Sequence, residues 1–408
     1  MSARSIRRAL TGFVVAATAA GALTATAPAA SAAPAAGHGH RATQDVMDAE
    51  VKAGVPGVLG QARERFPDKI ATWNGSSGVA DVDTRRPRLP EDRFRIGSIS
   101  KVFASVVLLQ LEAEGRLSLD DTVESRLPGV LRGKGGHDGG HVTIRQLLNH
   151  SSGIYNYTED DGFRKYLSTE FMERRFETRT PRDLVDVALR HEPYFAPGTD
   201  FHYSNTNYIL AGMIIEKVTG RSYATEVTQR VIRRAGLRST TYPGTSLSMP
   251  GPHGRGYSKL LKQEPDAKVY DVTELNPSWG GAAGAIISTT GDLNRFYDLL
   301  LGGKLLPGKQ QRELLTTIPM GKDSPARYGL GIMSATLSCG VTVWSHSGGI
   351  HGSTSLVVSD EKGGHTAAFN YNGDWHADLV SLVQAEYCGA AKPAGAERDT
   401  LNKLTALR

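Results

Sequence analysis

Three observations in the sequence predict an α+β protein. Strand-like alternation occupies Pro56 to Leu59 and Lys69 to Val82 near one end. Helical periodicity fills the block from Ser98 to about Thr225. Three β-rich runs then follow, Leu337 to Trp344, Thr354 to Ser359 and Thr366 to Tyr371, closed by a helical run from Ala377 to Tyr387. Helix and strand at both ends of a helical block make an α+β pattern.

Taken in order, the chain opens with Arg4, Arg7 and Arg8, a small apolar run from Ala9 to Leu23, and Ala30-Ser31-Ala32. This is the pattern of a secretory signal peptide over residues 1–32, cleaved after Ala32, and it predicts a secreted product. The run is too short, and too rich in Ala, Gly and Thr, for a membrane span. No second apolar run reaches spanning length, so no transmembrane anchor is expected. Residues 33–42 read as a disordered leader that contains His38-Gly39-His40. A helix is expected over Asp45 to Gly54, and a turn at Asn74-Gly75. Further helices are expected over Val102 to Glu114, from Thr143 to a stop at Gly153, over Pro181 to Arg190, and over Asn205 to Val218 before Gly220. Gly133 to Gly140 reads as a surface loop; His137 within it and His141 after it have no third ligand at metal spacing. Tyr242 to Pro277 is irregular, and Ser288 to Leu301 is helical with Thr289 and Thr290 as caps. Asp360 to Gly364 is a turn, and residues 391–408 form a polar tail.

With 408 residues, 39% hydrophobic and 22% charged, the composition is that of a globular protein. The net charge of +5 falls to about +2 once the three signal-segment arginines are gone. The basic balance therefore gives no ground for nucleic-acid binding. In an exported chain, the two cysteines, Cys339 and Cys388, favour a disulfide over two buried thiols. No cofactor motif or metal-ligand set is present in the sequence.

The chemistry starts at Ser98. Lys101 follows three residues later, ahead of the apolar run Val102 to Leu111. On a helix beginning at Ser98 the two side chains share a face, and a nucleophile gains an adjacent activator. Ser359 and Lys362 repeat the spacing in a turn without a helix start, so the motif alone carries little. The second element is Tyr203-Ser204-Asn205. A phenol near an ammonium has its pKa lowered and would pass protons, and the Asn205 amide would hold a substrate carbonyl and Lys101 together. A buried Tyr beside a helix-capping Asn is the plainer reading of the same residues. The third element is His346-Ser347-Gly348-Gly349, expected at the end of a strand. An extended peptide would pair along such an edge, with the N–H groups of Ser98 and Gly349 as an oxyanion hole.

Together, Ser98-x-x-Lys101, Tyr203-x-Asn205 and His346-x-Gly348 resemble the motif set of the serine β-lactamase and penicillin-binding protein superfamily. The likeness is to the branch with Tyr-x-Asn, and within it to secreted D-alanyl-D-alanine carboxypeptidases. Thr143 to Ile154, Tyr203 to Tyr208 and Leu337 to Val341 also resemble that subgroup. The resemblance implies one catalytic region over 43–390: an α/β part, about 43–95 and 280–390, whose antiparallel sheet is built from both chain ends, with an inserted helical part, about 98–275. It implies Ser98 as acyl-accepting nucleophile, Lys101 and Tyr203 sharing acid–base work, and Asn205 orienting the substrate amide. His346 would bind a terminal carboxylate if protonated or hydrogen-bond Tyr203 if neutral. Ser347 and Gly348 would contact substrate, with Trp279 and Phe163 as aromatic cleft walls; Trp279 is equally readable as core. A Cys339–Cys388 bridge fits the implied neighbourhood of the last helix and the His346 strand. Gly349 stands where relatives often carry a larger residue, and Met333 supplies no cation for an acidic side chain.

The implied activity is that of a secreted, monomeric serine D-Ala-D-Ala carboxypeptidase or transpeptidase, cofactor-free, acting on peptidoglycan peptides and acylated by β-lactams. The alternative is a class C-like β-lactamase or short-chain esterase on the same fold.

Overall fold

The strands expected at the two chain ends meet in one eight-stranded antiparallel sheet. We label its strands β1 (Gly57–Arg65), β2 (Ile70–Gly78), β3 (Ile318–Pro319), β4 (Arg327–Tyr328), β5 (Met333–Thr336), β6 (Thr342–Ile350), β7 (Ser353–Asp360) and β8 (His365–Tyr371). Their order across the sheet is β2-β1-β8-β7-β6-β5-β4-β3. The first strand thus pairs with the last, Leu59 opposite Asn370. The computed structural model describes residues 39–132, 135–322 and 324–389. The expected signal peptide, residues 33–38 of the leader and the tail 391–408 lie outside the described residues.

Alternation along the central strands sorts their side chains between two cores. Val357 and Ala368 join the cluster that includes the helix α2 (Ser100–Ala113), whereas Leu356, Val358, Ala367 and Phe369 join the other. Every residue of α2 from Ser100 to Leu111 is buried. A helix buried all round is a core helix, and this one carries Lys101 with it. Helix α3 (Asn205–Thr219) packs beside α2 and ends at Gly220, whose φ of 70° suits a left-handed cap. Helix α4 (Thr290–Leu301) covers β8 and β7, with Thr289 accepting from the Asp292 N–H. On the second core, α5 (Leu379–Cys388) packs against the N-terminal helix α1 (Arg41–Lys52). Cys339 and Cys388 are bridged, with 5.8 Å between their Cα atoms.

Four local expectations are corrected. Asn74-Gly75 lies inside β2, opposite Gln61 and Gly60, and the chain reverses at 66–69, where the Phe66 N–H donates to the Lys69 carbonyl at 2.8 Å. Pro67-Asp68 supplies that turn. Gly75 is small because a Cβ there would come within 2.3 Å of the Trp73 ring. Second, the helix expected from Asp45 begins at Arg41, so the leader does not extend to 42; His40 bonds Glu386 at 3.1 Å and stacks on Trp73. Third, in the surface loop at 135–140, where Gly136, Asp138 and Gly140 are exposed, the His137 side chain is buried. Fourth, the strand expected over Leu337 to Trp344 starts at Thr342 and continues to Ile350. Leu337 to Val341 is a tight connection, closed by the Leu337 N–H on the Val341 carbonyl at 2.8 Å.

Candidate active site

The turn that carries Ser98 is built by glycines meeting. Gly97 has φ 51°, and Gly97–Ile99 forms one 3₁₀ turn before α2. A Cβ on Gly97 would lie 2.7 Å from the Gly349 nitrogen; one on Gly348 would lie 1.9 Å from the Ile96 carbonyl oxygen and 3.0 Å from the Ser98 nitrogen. Strand β6 therefore lies flush against the turn that carries Ser98. Beyond Ser345, β6 pairs only with β7, since β5 ends its register there. Gly349 is the one exposed residue of β6.

Ser98 lies at the floor of a cleft and is 8% exposed; Lys101 behind it is fully buried. Lys101 Nζ reaches Ser98 Oγ at 2.9 Å, Asn205 Oδ1 at 2.7 Å and the Ala283 carbonyl at 2.9 Å. Burial pushes the lysine pKa well below its ordinary range. Of the three partners, the Asn205 and Ala283 oxygens only accept, whereas Ser98 Oγ also has a proton to give. A neutral Lys101 thus donates twice and keeps its lone pair toward Ser98. Asn205, at the start of α3, is set by its N–H on Asn156 Oδ1 (3.0 Å) and by Nδ2 on Thr158 Oγ1 (3.2 Å).

Tyr203 is brought to the same place, but its expected lowered pKa is reversed. Lys101 Nζ sits over the ring, 4.8 Å from its centroid. Tyr203 Oη is buried beside Ser98. Burial raises the phenol strongly, and only Ser98 opposes it. His346 is corrected as well. It is fully buried in β6, its Nδ1–H donates to the Ser347 carbonyl at 2.5 Å, and the Tyr328 hydroxyl donates to its Nε2 at 3.0 Å. Burial first, and Lys101 second, push its pKa to about 3. A neutral ring with both nitrogens engaged neither binds a carboxylate nor bonds Tyr203, whose ring centroid is 6.5 Å away.

The cleft measures about 450 Å³, and Ser98, Asn205, Gly349 and Trp279 line it. Lys101, Tyr203, His346, Ser347 and Gly348 lie behind its surface rather than on it. Phe163 is not a wall either. Asp160 caps the helix Asp161–Leu167 and turns Phe163 inward, edge-on to Tyr157 at 5.0 Å. Tyr157 lines the cleft instead and donates to the Trp279 carbonyl at 2.6 Å. Met333 is a buried core residue of β5.

The sequence carries no signal for several lining residues: Thr158, Glu159, Arg164, Leu261, His351 and Asp374. Glu159 is half-buried, held by the Tyr194 hydroxyl (2.7 Å), Asn156 Nδ2 (3.1 Å) and His202 (3.4 Å). Burial raises its pKa, but those three donors outweigh it and bring the carboxyl down to about 2. His150, which the sequence marks only as part of a family-like stretch, braces the Tyr203 segment. Its Nδ1 accepts the Ser204 N–H at 3.1 Å, and its ring lies 4.2 Å from Tyr203.

The family described as Beta-lactamase matches residues 11–382. Among solved structures, the chain is similar to a D-stereospecific amidohydrolase from Streptomyces sp., 50% identical, with TM-score 0.81 over 86% of this chain and 99% of that one. It is also similar to the D-amino acid amidase of Ochrobactrum anthropi SV3, 28% identical, TM-score 0.68, over 82% and 92%. Penicillin-binding protein 4* of Bacillus subtilis is 27% identical over 70% of this chain and 62% of its own length. Protein flp of Staphylococcus aureus is 25% identical over 82% and 65%. The chain therefore spans less than two thirds of those two curated relatives.

Proposed function

This chain belongs to the beta-lactamase family and is a hydrolase of that fold; on that premise we propose that it hydrolyses amides and short peptides of D-amino acids bearing a free α-amino group. The observation that carries this is Glu159. It is an ionised carboxylate on the cleft wall, next in the chain to Thr158, which is hydrogen-bonded to Asn205 and through it to Lys101 and Ser98. An ammonium held there would present the adjoining carbonyl to Ser98. The likeness to a D-stereospecific amidohydrolase supports the D-configuration.

In this reading neutral Lys101 takes the Ser98 proton as Oγ attacks the amide carbon. The N–H groups of Ser98 and Gly349 receive the oxyanion. The C–N bond breaks, the leaving amine takes a proton, and an ester to Ser98 remains. Tyr203, which keeps its own proton because it is buried, relays protons to the leaving group. Lys101, neutral again, then takes a proton from the water that attacks the ester and passes it to Ser98 Oγ as the C–O bond breaks, restoring the hydroxyl and the neutral amine. The protein would act as a secreted monomer, released after cleavage near Ala32. No described helix is long and apolar enough to cross a membrane.

Carboxypeptidase action on D-Ala-D-Ala peptides is the second reading. It is favoured by the likeness to a penicillin-binding protein and by Arg164, a guanidinium on the cleft lining able to take a terminal carboxylate. The deciding comparison is D-alaninamide and D-phenylalaninamide against their L-forms, their N-acetyl derivatives, and N-acyl-D-Ala-D-Ala. We expect D over L, and KM raised about 5–30-fold by N-acetylation or by Glu159→Gln, the worth of one half-exposed charge-assisted contact. Faster release of D-alanine from N-acyl-D-Ala-D-Ala than of ammonia from the free-amine amides would replace the first reading by the second. Under either, a fluorescent penicillin labels the wild type and not Ser98→Ala.

A further inference from the structure

Arg95 leads into the nucleophile turn and is 2% exposed. Its Nη2 donates to the carbonyls of Leu247 (3.2 Å), Thr273 (3.4 Å) and Leu275 (3.2 Å), while Nε and Nη1 have no hydrogen-bond partner. No carboxylate acts on it; burial alone bears on its charge, lowering its pKa to about 10. Arg88, 3% exposed, lines the same small cavity. It donates to the Gly57 carbonyl (3.3 Å) and to Asn370 Oδ1 (2.7 Å), with Asp92 3.8 Å from an Nε that has no hydrogen-bond partner. Arg93 and Arg255 complete the cationic lining, and no Asp or Glu lines the cavity. Arg255 is already paired with Asp81 and Asp271, and Arg93 donates to the carbonyls of Ser239 and Gly251.

A buried guanidinium does not shed its proton, and one left without a counter-charge is expensive. We propose that this cavity binds one halide-sized anion, chloride in ordinary salt, between Arg95 and Arg88. Its volume, about 20 Å³ where a single water needs roughly 10–15 Å³, suits one atom better than the five of phosphate or sulfate. The uncharged competitor is a water bridging Arg95 to Asn372 Oδ1, another buried atom without a partner. The anion would also be felt at the active site. The Arg95 carbonyl accepts Ser353 Oγ at 2.7 Å, and His351 lines both this cavity and the catalytic cleft. Arg95 and the anion are positioning groups here, acting through the backbone of the Ser98 turn.

The test has two arms, both usable on the wild type. Crystals soaked in bromide are expected to show an anomalous peak within hydrogen-bond reach of Arg95 Nε or Nη1. In solution, the thermal midpoint is expected to rise by about 2–4 °C in sodium chloride over sodium gluconate of equal ionic strength. Arg95→Met, if it folds, should lose that difference. A cavity without a bromide peak overturns the proposal in favour of water. A peak with no chloride dependence of the midpoint means an adventitious ion only, and overturns it too.

Discussion

Replacing Lys101 by Met separates catalysis from packing, because its consequences for the two differ in size. Met fills a similar volume without an amine. The loss removes the amine hydrogen-bonded to Ser98, and Tyr203 cannot take its place as base because burial holds it protonated. General-base catalysis contributes about 10²–10⁴-fold, or about 3–5 kcal/mol of barrier at 1.36 kcal/mol per decade. Stability changes by opposing amounts. The Asn205 Oδ1 and Ala283 carbonyl oxygens each lose a donor, at about 1–3 kcal/mol apiece. The desolvation cost of a fully buried lysine, of several kcal/mol, is relieved at the same time. The net change in stability is then within about 2 kcal/mol. Acylation by a fluorescent penicillin, followed in time beside thermal unfolding, reads both quantities. A Met variant acylated within tenfold of the wild type would show that Lys101 is not the base. The pH profile is a second check. Because the Lys101 pKa is depressed, acylation should rise with pH and level off below the ordinary lysine pKa of about 10.4. In that same interval the unfolded chain binds the extra proton, so stability rises with pH too.

Three further outcomes are expected. Gly348→Ala sets a methyl against the Ile96 carbonyl oxygen and should lower acylation at least ~10-fold by displacing the Ser98 turn; kinetics equal to wild type would mean β6 does not hold that turn. Cys339→Ser/Cys388→Ser, or reduction, opens a bridge across 49 residues and should cost about 4 kcal/mol in urea unfolding on the chain-entropy account; a loss under about 1 kcal/mol would contradict that account here. His346, with its pKa lowered to about 3, should add no limb near pH 6.5 to the activity profile, and its contribution to stability should fall away as pH drops from about 6.5 toward 3, where the unfolded ring protonates first. NMR titration of the imidazole between pH 5 and 8 checks this: a shift centred near 6.5 would refute the neutral ring.

Much of the site is legible in the residues alone. Ser98, Lys101, Tyr203 and Asn205 each announce themselves by spacing, and the fold brings all four together. The helix starts at Thr143 and Thr289 are readable because a capping hydroxyl acts on its own neighbours. Phe163 and Trp279 show where such reading ends. Both are aromatic and both are buried, yet Trp279 faces the cleft and Phe163 packs behind Tyr157. Helix orientation decides between them. The end of β6 escapes local reading for a related reason: Gly348 and Gly349 look like strand breakers, but here they are what admits the strand to the Ile96–Ser98 backbone.

Short-range chemistry is written in the sequence: a hydroxyl and an amine three residues apart at a helix start, and a lone Tyr-x-Asn at the head of another helix. Backbone periodicity suffices for that. Tertiary packing sets the protonation of Lys101, Tyr203 and His346, and it alone puts Glu159 and Arg164 on the cleft wall. Desolvation is summed over atoms contributed by distant segments. Lys101 loses its water to residues as remote in the chain as Asn205 and Ala283, and no local spacing records that sum.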